Sequence, residues 1–238
     1  MISLGHHGRV ATTARERVRA ELTREITDAA RRQLAEVGAP ALSLRAVARE
    51  VGMVSSAVYR YFPSRDDLLT RLIIDGYDDL GAVAEAADDP SAPALERWLA
   101  VCRAVRSWAR AHPHEYALLY GSPVPGYRAP QETIPAAARV ALVLGRILSD
   151  AAEAGDLPQA GGERDPGLFS DEAVAALGGD HPAFDDAVRA RALLAWSSLY
   201  GTVSFELFGH FVGSVEDGDR YFDRAMGDLA MLIGFRAA

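Results

Sequence analysis

The sequence predicts an all-α protein, with a small three-helix head at the N-terminus and a larger helical body behind it. Three observations lead to this prediction. Apolar residues recur every three or four positions along most of the 238-residue chain, which is the period of an amphipathic helix. Sustained apolar–polar alternation, the pattern of a β-strand, is missing from the sequence. The chain is 49% hydrophobic and 24% charged, the balance of a globular protein rather than of a disordered or fibrous one.

The head is predicted to contain three helical segments, at residues 13–38, 43–52 and 55–62. Thr13 and Glu16 have the spacing of a capping box, and Gly38 ends the first segment. Ser43 is expected to cap the second helix. Gly52 then stands in the turn before the third helix, where a left-handed backbone costs least without a Cβ atom.

The body is predicted to be a series of longer helices behind a break at Pro63 and Ser64. Ser64 is expected to cap the first of them. Residues 121–135 contain four prolines and are expected to form a connection, and residues 155–179 a loop rich in Gly, Pro and Asp. The predicted helices occupy residues 64–88, 95–109, 113–120, 136–154, 171–177, 182–208 and 219–235.

Charge is distributed unevenly along the chain, whose formal net charge is −8. Residues 1–65 hold 11 Arg and 6 acidic residues, a net +5, and residues 66–238 hold 14 Arg and 27 acidic residues, a net −13. This split indicates a polyanion-binding head on an acidic body. Solvated helix faces would produce the same split, so charge alone leaves both interpretations open.

Two short helices joined at a glycine form the pattern of a helix-turn-helix. Ala48 is small enough for the point where the helices cross, and Val47, Val51, Val58 and Phe62 supply apolar contacts. The second helix carries small residues at its start, where it would enter a groove, and aromatic or basic residues behind. Its exposed side chains are predicted to be Ser55, Ser56, Ala57, Tyr59, Arg60 and Tyr61.

At these residues the chain resembles the tetracycline-repressor (TetR) family of transcriptional regulators. The resemblance rests on SLRAVAREVG at residues 43–52, AVYRYF at 57–62 and SRDDL at 64–68. The family usually has Ser or Thr two residues after the turn glycine, where this chain has Val54. Residues 112–121 and 196–201 are also similar to a subgroup with a Trp-His-Gly signature in its ligand domain, although Tyr200 replaces the histidine.

The resemblance implies a homodimeric repressor that binds a palindromic operator in double-stranded DNA, with a DNA-binding domain at residues 1–64 and a ligand-binding and dimerisation domain at 65–238. Arg45, Ser55, Ser56 and Ala57 are implied to read bases. Arg60 is a further implied DNA-binding residue, to which neither a base nor a phosphate is assigned. The implied phosphate contacts are Ser43, Tyr59, Tyr61 and Arg65. Core packing is the alternative for Tyr59 and Tyr61, and a merely solvated charge the alternative for Arg60.

Aromatic residues at helical spacing in the body indicate a cavity for a small hydrophobic ligand. Simple core packing is the alternative for each of them. The loop at residues 155–179 is expected to be mobile and to lie near the entrance of that cavity. The candidate pocket residues are Trp98, Cys102, Tyr116, Tyr120, Trp196 and Tyr200.

Several other classes of protein are not supported by the sequence. His112, His114 and Glu115 belong to no metal-binding motif, and neither a nucleophile elbow nor a phosphate-binding glycine loop occurs, so no metal, cofactor or enzyme is expected. No export signal is evident in the first twenty residues, which predicts a cytoplasmic protein. The apolar run at 192–213 contains Glu206 and His210 and is expected in a core or subunit interface rather than in a membrane. The rival interpretation is a helical interaction or scaffold module with a vestigial helix-turn-helix.

Overall fold

The computed structural model describes residues 14–157, 167–176 and 184–236. Those residues form ten α-helices and no β-strand, which confirms the all-α prediction. Two short 3-10 turns, Ala39–Ala41 and Gln131–Thr133, join helices. The helices are α1 (Ala14–Val37), α2 (Leu44–Glu50), α3 (Ser55–Val58), α4 (Arg65–Ala87), α5 (Ala94–Ala111), α6 (Pro113–Tyr120), α7 (Ile134–Ala154), α8 (Asp171–Ala176), α9 (Asp186–Leu207) and α10 (Gly218–Ile233).

The chain divides into two compact units, a head up to Leu72 and a body from Ile73 onward. The division falls inside α4, so one continuous helix contributes to both units. The predicted second domain starts at Arg65, the first residue of α4, eight residues before this division. The two units are therefore joined by an uninterrupted helix.

The core of the head is formed by apolar side chains from all four of its helices. Ile26 and Ala30 of α1 are fully buried, as are Val47 of α2 and Val58 of α3, and Leu68 begins the contribution of α4. These positions keep the three- and four-residue spacing seen in the sequence. Because each short helix buries only a few side chains, their fixed arrangement depends on packing against α1 and α4.

The third helix is shorter than predicted, since regular α-helix ends at Val58 rather than near Phe62. The amides of Arg60 and Tyr61 donate to the carbonyls of Ala57 and Val58, three residues back, so the chain tightens into a turn. Phe62 is buried at the end of this turn. The residues predicted on one long helix are therefore divided between a helical turn and the tight turn behind it.

The predicted helix caps are partly corrected. Ser64 caps α4 as expected, because its Oγ accepts from the amide of Asp67 at 3.1 Å. Ser43 occupies the N-cap position of α2, but its side chain makes no capping hydrogen bond. Its amide instead donates to Oε1 of Gln33 at 3.3 Å, which ties the start of α2 to α1. The predicted capping box of Thr13 lies outside the described residues.

The core of the body is centred on α5, which packs against α6, α7, α9 and α10. Trp98, Val101 and Val105 of α5 are almost fully buried. Asp185 and Asp217 cap α9 and α10 by accepting from the amides of Val188 and Arg220. The two helices are somewhat shorter than predicted, and residues 182 and 183 of the predicted range lie outside the described residues. In the described ranges, no helix combines the length and apolarity that spanning a membrane requires.

A buried ion pair ties the end of α4 to α5. Asp88 has a completely buried side chain and accepts from Arg97 Nε at 2.6 Å and from Arg146 Nη2 at 2.7 Å. Burial by itself would raise the pKa of Asp88, but the hydrogen bonds from the two arginines outweigh it and lower that pKa below its ordinary value. This carboxylate therefore stays charged and holds three helices together.

Gly52 provides a direct test of the turn geometry. Its φ is +68°, and the space around its missing Cβ is open, so a Gly52→Ala variant should suffer backbone strain without a steric clash. We expect the head to lose about 1–2 kcal/mol of stability, the cost of a left-handed conformation with a Cβ atom. Hydrogen exchange of the α2 amides measures this loss, and an unchanged exchange rate would contradict the assigned turn. Gly227→Ala, in α10 with similar open space, is the control outside the head.

Candidate DNA-binding surface and ligand cavity

The head presents a helix-turn-helix made of α2, the Gly52 turn and α3. The turn is closed by a hydrogen bond from the amide of Met53 to the carbonyl of Ala48, at 2.8 Å. Ala48 itself is buried, so α3 approaches α2 closely over a small side chain. Val58 is fully buried on the inner side of α3. Leu44 and Val47 of α2 are buried as well, so the outer side of the motif is formed by the other residues of α2 and α3.

Four of the nine predicted DNA-contacting residues are exposed, and five are half-buried. Arg45, Ser56, Tyr59 and Arg60 are exposed. Tyr59 is 43% exposed, which disfavours the core-packing alternative for this residue. The half-buried members of the set are Ser43, Ser55, Ala57, Tyr61 and Arg65. Contact with DNA stays a prediction for all of them.

Tyr61 packs against the start of α1. The Cζ atom of Arg19 lies 5.4 Å from the centre of the Tyr61 ring, a cation–π contact. The two side chains line a shallow depression together with Val18 and the first residues of α1. Tyr61 therefore has a packing role in the head whether or not its hydroxyl reaches a phosphate.

Arg65 has a structural role that its sequence position does not indicate. Its Nη2 donates to the carbonyl of Ala39 at 2.7 Å and to that of Pro40 at 3.1 Å. The guanidinium thus ties the start of α4 to the 3-10 turn between α1 and α2. Arg65 consequently presents less of its hydrogen-bonding capacity to a phosphate than the resemblance implies.

The body contains a cavity of about 570 Å³, a size suited to a small organic ligand. Its walls come from α4, α6, α7, α9 and the proline-rich connection that follows α6. Residues 121–129 of that connection close one side. The lining residues are Ile73, Tyr77, Leu118, Leu119, Tyr120, Gly121, Ser122, Pro123, Val124, Tyr127, Ala129, Thr133, Ile134, Ala137, Ala138, Ala141 and Trp196.

The structure brings two of the six predicted pocket residues, Tyr120 and Trp196, into the cavity wall. Tyr116 and Tyr200 are not lining residues but contact Tyr120. The Tyr200 ring stacks on Tyr120 with centroids 4.2 Å apart, and the Tyr116 ring centroid lies 5.1 Å from that of Tyr120. The Tyr77 ring meets Tyr120 edge-on, with centroids 5.9 Å apart. We call the connected group of aromatic side chains the tyrosine cluster; its members are Tyr77, Tyr116, Tyr120, Trp196 and Tyr200.

The other two predicted pocket residues, Trp98 and Cys102, do not line this cavity. Both are buried in the core of the body. Trp98 Nε1 donates to the carbonyl of Met226 at 3.3 Å. Complete burial raises the pKa of the Cys102 thiol far above its ordinary value, so this thiol is neutral and inert. Trp98 and Cys102 lie on the apolar face of α5. The sequence pattern of such a face is the same whether the helix packs on a ligand or on other helices.

Three alanines of α7 are among the lining residues that sequence reasoning missed. Ala137, Ala138 and Ala141 are spaced to share one face of α7, and their small side chains leave the space that the cavity occupies. Tyr77 and Tyr127 were missed as well. The spacing of the alanines was the available signal, but in an alanine-rich chain it does not stand out.

Burial shapes the chemistry of the tyrosine cluster. The Tyr116 hydroxyl donates to the carbonyl of Tyr200 at 3.0 Å and lies 2.9 Å from Ser204 Oγ. Desolvation raises the pKa of Tyr116 to about 12, and it raises the pKa values of Tyr77 and Tyr120 in the same direction. The cluster is therefore uncharged at neutral pH, in surroundings that disfavour a negative charge.

Arg139 of α7 binds α4 through several hydrogen bonds. Its Nε and Nη2 donate to the two carboxylate oxygens of Glu85 at 2.8 and 2.7 Å, and its Nη1 donates to the carbonyl and carboxylate of Asp78. The side chain crosses α4 at Gly81, where an added Cβ would lie 2.7 Å from Arg139. Hydrogen bonds from Arg139 also hold the pKa of Glu85 below its ordinary value. We call these four residues the Arg139 clamp.

His112 takes part in packing at the start of α6. Its ring stacks on Trp108 with centroids 5.0 Å apart, and its Nδ1 lies 2.9 Å from the carbonyl of Trp108. In the part of the chain that the structure describes, no group of three or more His, Cys, Asp or Glu side chains is arranged to hold a metal ion.

Comparison with known proteins agrees with both halves of this arrangement. Residues 26–72 match a family model described as bacterial regulatory proteins of the tetR family. Residues 98–229 match a model described as the tetracyclin repressor-like C-terminal domain. The two matches coincide with the head and with most of the body.

Individual relatives extend the similarity over most of the chain. The HTH-type transcriptional regulators Rv1816 of Mycobacterium tuberculosis and Mb1846 of Mycobacterium bovis are each 40% identical over 202 residues, covering 83% of this chain and 85% of theirs. The crystal structure of regulatory protein SCO4313 has 37% identity and a TM-score of 0.71, covering 91% of this chain and 98% of its own. A Rhodococcus sp. RHA1 protein of unknown function has 25% identity and a TM-score of 0.65, with 89% and 93% covered.

The helix-turn-helix head, the helical body and these matches lead to one conclusion: the chain belongs to the TetR family of bacterial transcriptional regulators.

Proposed function

We propose that this regulator is a homodimeric repressor that a small hydrophobic ligand releases from a palindromic operator. The single observation that carries the ligand response is the cavity of about 570 Å³ whose walls include α4, the helix that begins in the head. Ile73 and Tyr77 of α4 line the cavity. A ligand that prefers one position of α4 would therefore shift the population of head arrangements. Such a regulator works in the cytoplasm, where its DNA is.

The surface of α9 and α10 supports the homodimer. Eight of the fifteen large apolar side chains that are exposed among the described residues lie on these two helices and on the segment between them, and a concentration of exposed apolar groups is typical of a protein–protein contact. An isologous contact between two copies would bury them and relate the two heads by a two-fold axis, which requires a palindromic operator. The exposed residues are Leu193, Leu194, Phe205, Phe208, Val212, Tyr221, Met231 and Leu232.

The Arg139 clamp supports the path from ligand to α4. Ala138 and Ala141 of α7 line the cavity on either side of Arg139 in sequence, and Arg139 holds α4 through Asp78 and Glu85. A ligand that moves α7 would thus pull α4 with it. Coupling between ligand and operator is expected to be about 1–3 kcal/mol, the usual range for such linkage.

Paired titrations of ligand and operator test the ligand response. Small hydrophobic compounds are screened for release of the full-length protein from its selected operator, and each hit is titrated against the protein with and without that DNA. Reciprocity requires operator to weaken ligand binding by the factor by which ligand weakens operator binding. If every cavity-binding compound binds equally well in both titrations, the protein is not ligand-responsive. If no operator can be selected at all, the result favours the rival interpretation of a helical interaction or scaffold module.

Breaking the Arg139 clamp should uncouple the two sites. In an Arg139→Gln variant, we expect the ratio of ligand affinities with and without operator to fall toward one, while ligand affinity for the free protein stays within about twofold. Gly81→Ala should act in the same direction by displacing the Arg139 side chain. Arg103→Gln, which removes an exposed pair with Asp223 on α10, is the matched control and should leave the ratio unchanged. An Arg139→Gln protein with the full ratio would remove the clamp from the coupling path.

A further inference from the structure

The cavity wall is rich in aromatic and hydroxyl groups and contains no charged side chain among its described lining residues. Its polar side-chain groups are the hydroxyls of Tyr77, Tyr120, Tyr127, Ser122 and Thr133 and the indole N–H of Trp196, which is buried and has no hydrogen-bond partner among the described residues. The hydroxyl of Thr133 already donates to the carbonyl of Pro130 at 2.8 Å. The other lining side chains are aliphatic.

Two arginines are next to this wall in sequence, Arg128 and Arg139, and neither of them lines it. Arg128 lies between the lining residues Tyr127 and Ala129, and its side chain is exposed to solvent. Arg139 follows the lining residue Ala138, but its guanidinium is bound by the carboxylates of Glu85 and Asp78. Two negative charges thus surround one positive charge on that side of the cavity. On the α7 side, an anionic ligand would find no uncommitted cation, because the Arg139 guanidinium is already paired with two carboxylates.

The cavity environment also disfavours a charge on the ligand itself. The raised pKa values of Tyr77 and Tyr120 have desolvation as their largest cause, so a negative charge on a ligand beside them would lose hydration in the same way. A cation would lose hydration as well, and no lining carboxylate would compensate for it. Aromatic faces, hydroxyls and the indole N–H of Trp196 remain as the means of recognition.

We propose that the ligand is a neutral aromatic molecule whose polar atoms are uncharged oxygen or nitrogen groups, and that the cavity rejects carboxylates, sulfonates and other anions. This proposal rests on the function proposed above and specifies the chemical class of the ligand. It concerns the cavity of the body alone, so it can fail while the DNA-binding function stands.

Two fluorescent probes that differ by one charged group provide the test. N-phenyl-1-naphthylamine is neutral, and 1-anilinonaphthalene-8-sulfonate carries a sulfonate on the same aromatic scaffold. We expect the full-length protein to bind the neutral probe at least about tenfold more tightly than its sulfonate, which corresponds to about 1.4 kcal/mol. Quenching of tryptophan emission by the bound neutral probe, lost in Trp196→Phe, would place it at the wall of the cavity.

Variants at Ala141 separate the cavity from other apolar surfaces. Ala141→Phe fills part of the cavity next to α7 and should abolish the fluorescence of the probe that is bound in the cavity. Ala141→Arg adds a cation to the wall and should raise the affinity of the sulfonate relative to the neutral probe by about tenfold or more. Ala141→Gln, of intermediate size and uncharged, is the matched control and should keep the original preference. Circular dichroism verifies that each variant is folded.

The outcomes distinguish a failure of the neutral-ligand inference from a failure of the proposed regulator function. Equal binding of both probes at the site that Ala141→Phe closes would overturn the neutral-ligand inference, as would a neutral-probe signal that Ala141→Phe leaves intact or an absence of neutral-probe binding. Operator binding by the same samples is measured in parallel. If the operator is bound and the charge preference is missing, only the inference fails. If no operator is bound, the proposed function fails.

Discussion

Operator affinity should fall by roughly 10³–10⁵-fold as salt rises from about 50 to 200 mM, if the two heads of a dimer neutralise about six to ten phosphates. The reason is the release of condensed counterions, with a slope of about −0.9 in log–log form for each phosphate contacted. The head has the required charge, because residues 1–65 carry a net +5 while the chain as a whole carries −8. Fluorescence anisotropy of a labelled operator at several salt concentrations measures the slope.

Single substitutions in the head should then separate the kinds of contact. Arg60→Gln should flatten the slope by about one for each head and act alike on all sequences, whereas Arg45→Ala should cost about 1–3 kcal/mol and relax one base position. Arg65→Ala should mainly destabilise the head, because its guanidinium is bound to the carbonyls of Ala39 and Pro40. Arg224→Gln, on α10 with its own partner Asp228, is the control. A salt-independent affinity would contradict phosphate binding by the head.

A Phe205→Asp variant should dissociate the dimer while leaving the monomer folded. Phe205 is 52% exposed in the monomer, so its replacement should not disturb the core. In the proposed interface, an unpaired buried carboxylate on each copy would cost about 3–5 kcal/mol. Sedimentation velocity should show the sedimentation coefficient of one chain, and operator affinity should fall because two heads no longer act together.

A matched surface substitution controls for the added charge. Leu142 of α7 is also 52% exposed but lies outside α9 and α10, so Leu142→Asp should leave the dimer intact. Helical content from circular dichroism should equal that of the unmodified protein in both variants. A Phe205→Asp protein that sediments as a dimer would move the interface away from this face of α9.

The elements that sequence predicted well depend on local chemistry. Helical periodicity predicted the body helices to within a few residues, because a one-sided apolar face forms wherever a helix covers a core. Ser64 was correctly placed as a cap, since its partner Asp67 is only three residues away. Gly52 adopts the left-handed conformation expected of a turn glycine. Each of these features is decided within one or two turns of chain.

The features that sequence did not predict depend on contacts between distant segments. The Ser43 side chain makes no cap, while its amide donates to Gln33 of α1. Arg65 donates to carbonyls 25 and 26 residues away. Trp98 and Tyr120 are both aromatic residues on predicted helices of the body, yet only Tyr120 lines the cavity. The Arg139 clamp needs Gly81 at the crossing point of two helices, and no local pattern reveals such a meeting. Much of the loop predicted near the cavity entrance lies outside the described residues, so that prediction stays open.

Selection of binding sites from random duplex DNA by the full-length protein tests the central claim most directly. The account predicts an enriched inverted repeat whose half-sites are separated as the two-fold related heads of a dimer require. A Gly52→Ala or Arg45→Ala protein, selected in parallel, should enrich this repeat less strongly or with one relaxed position in each half-site. A selection by the unmodified protein that ends with no enriched repeat would contradict sequence-specific DNA binding by this head.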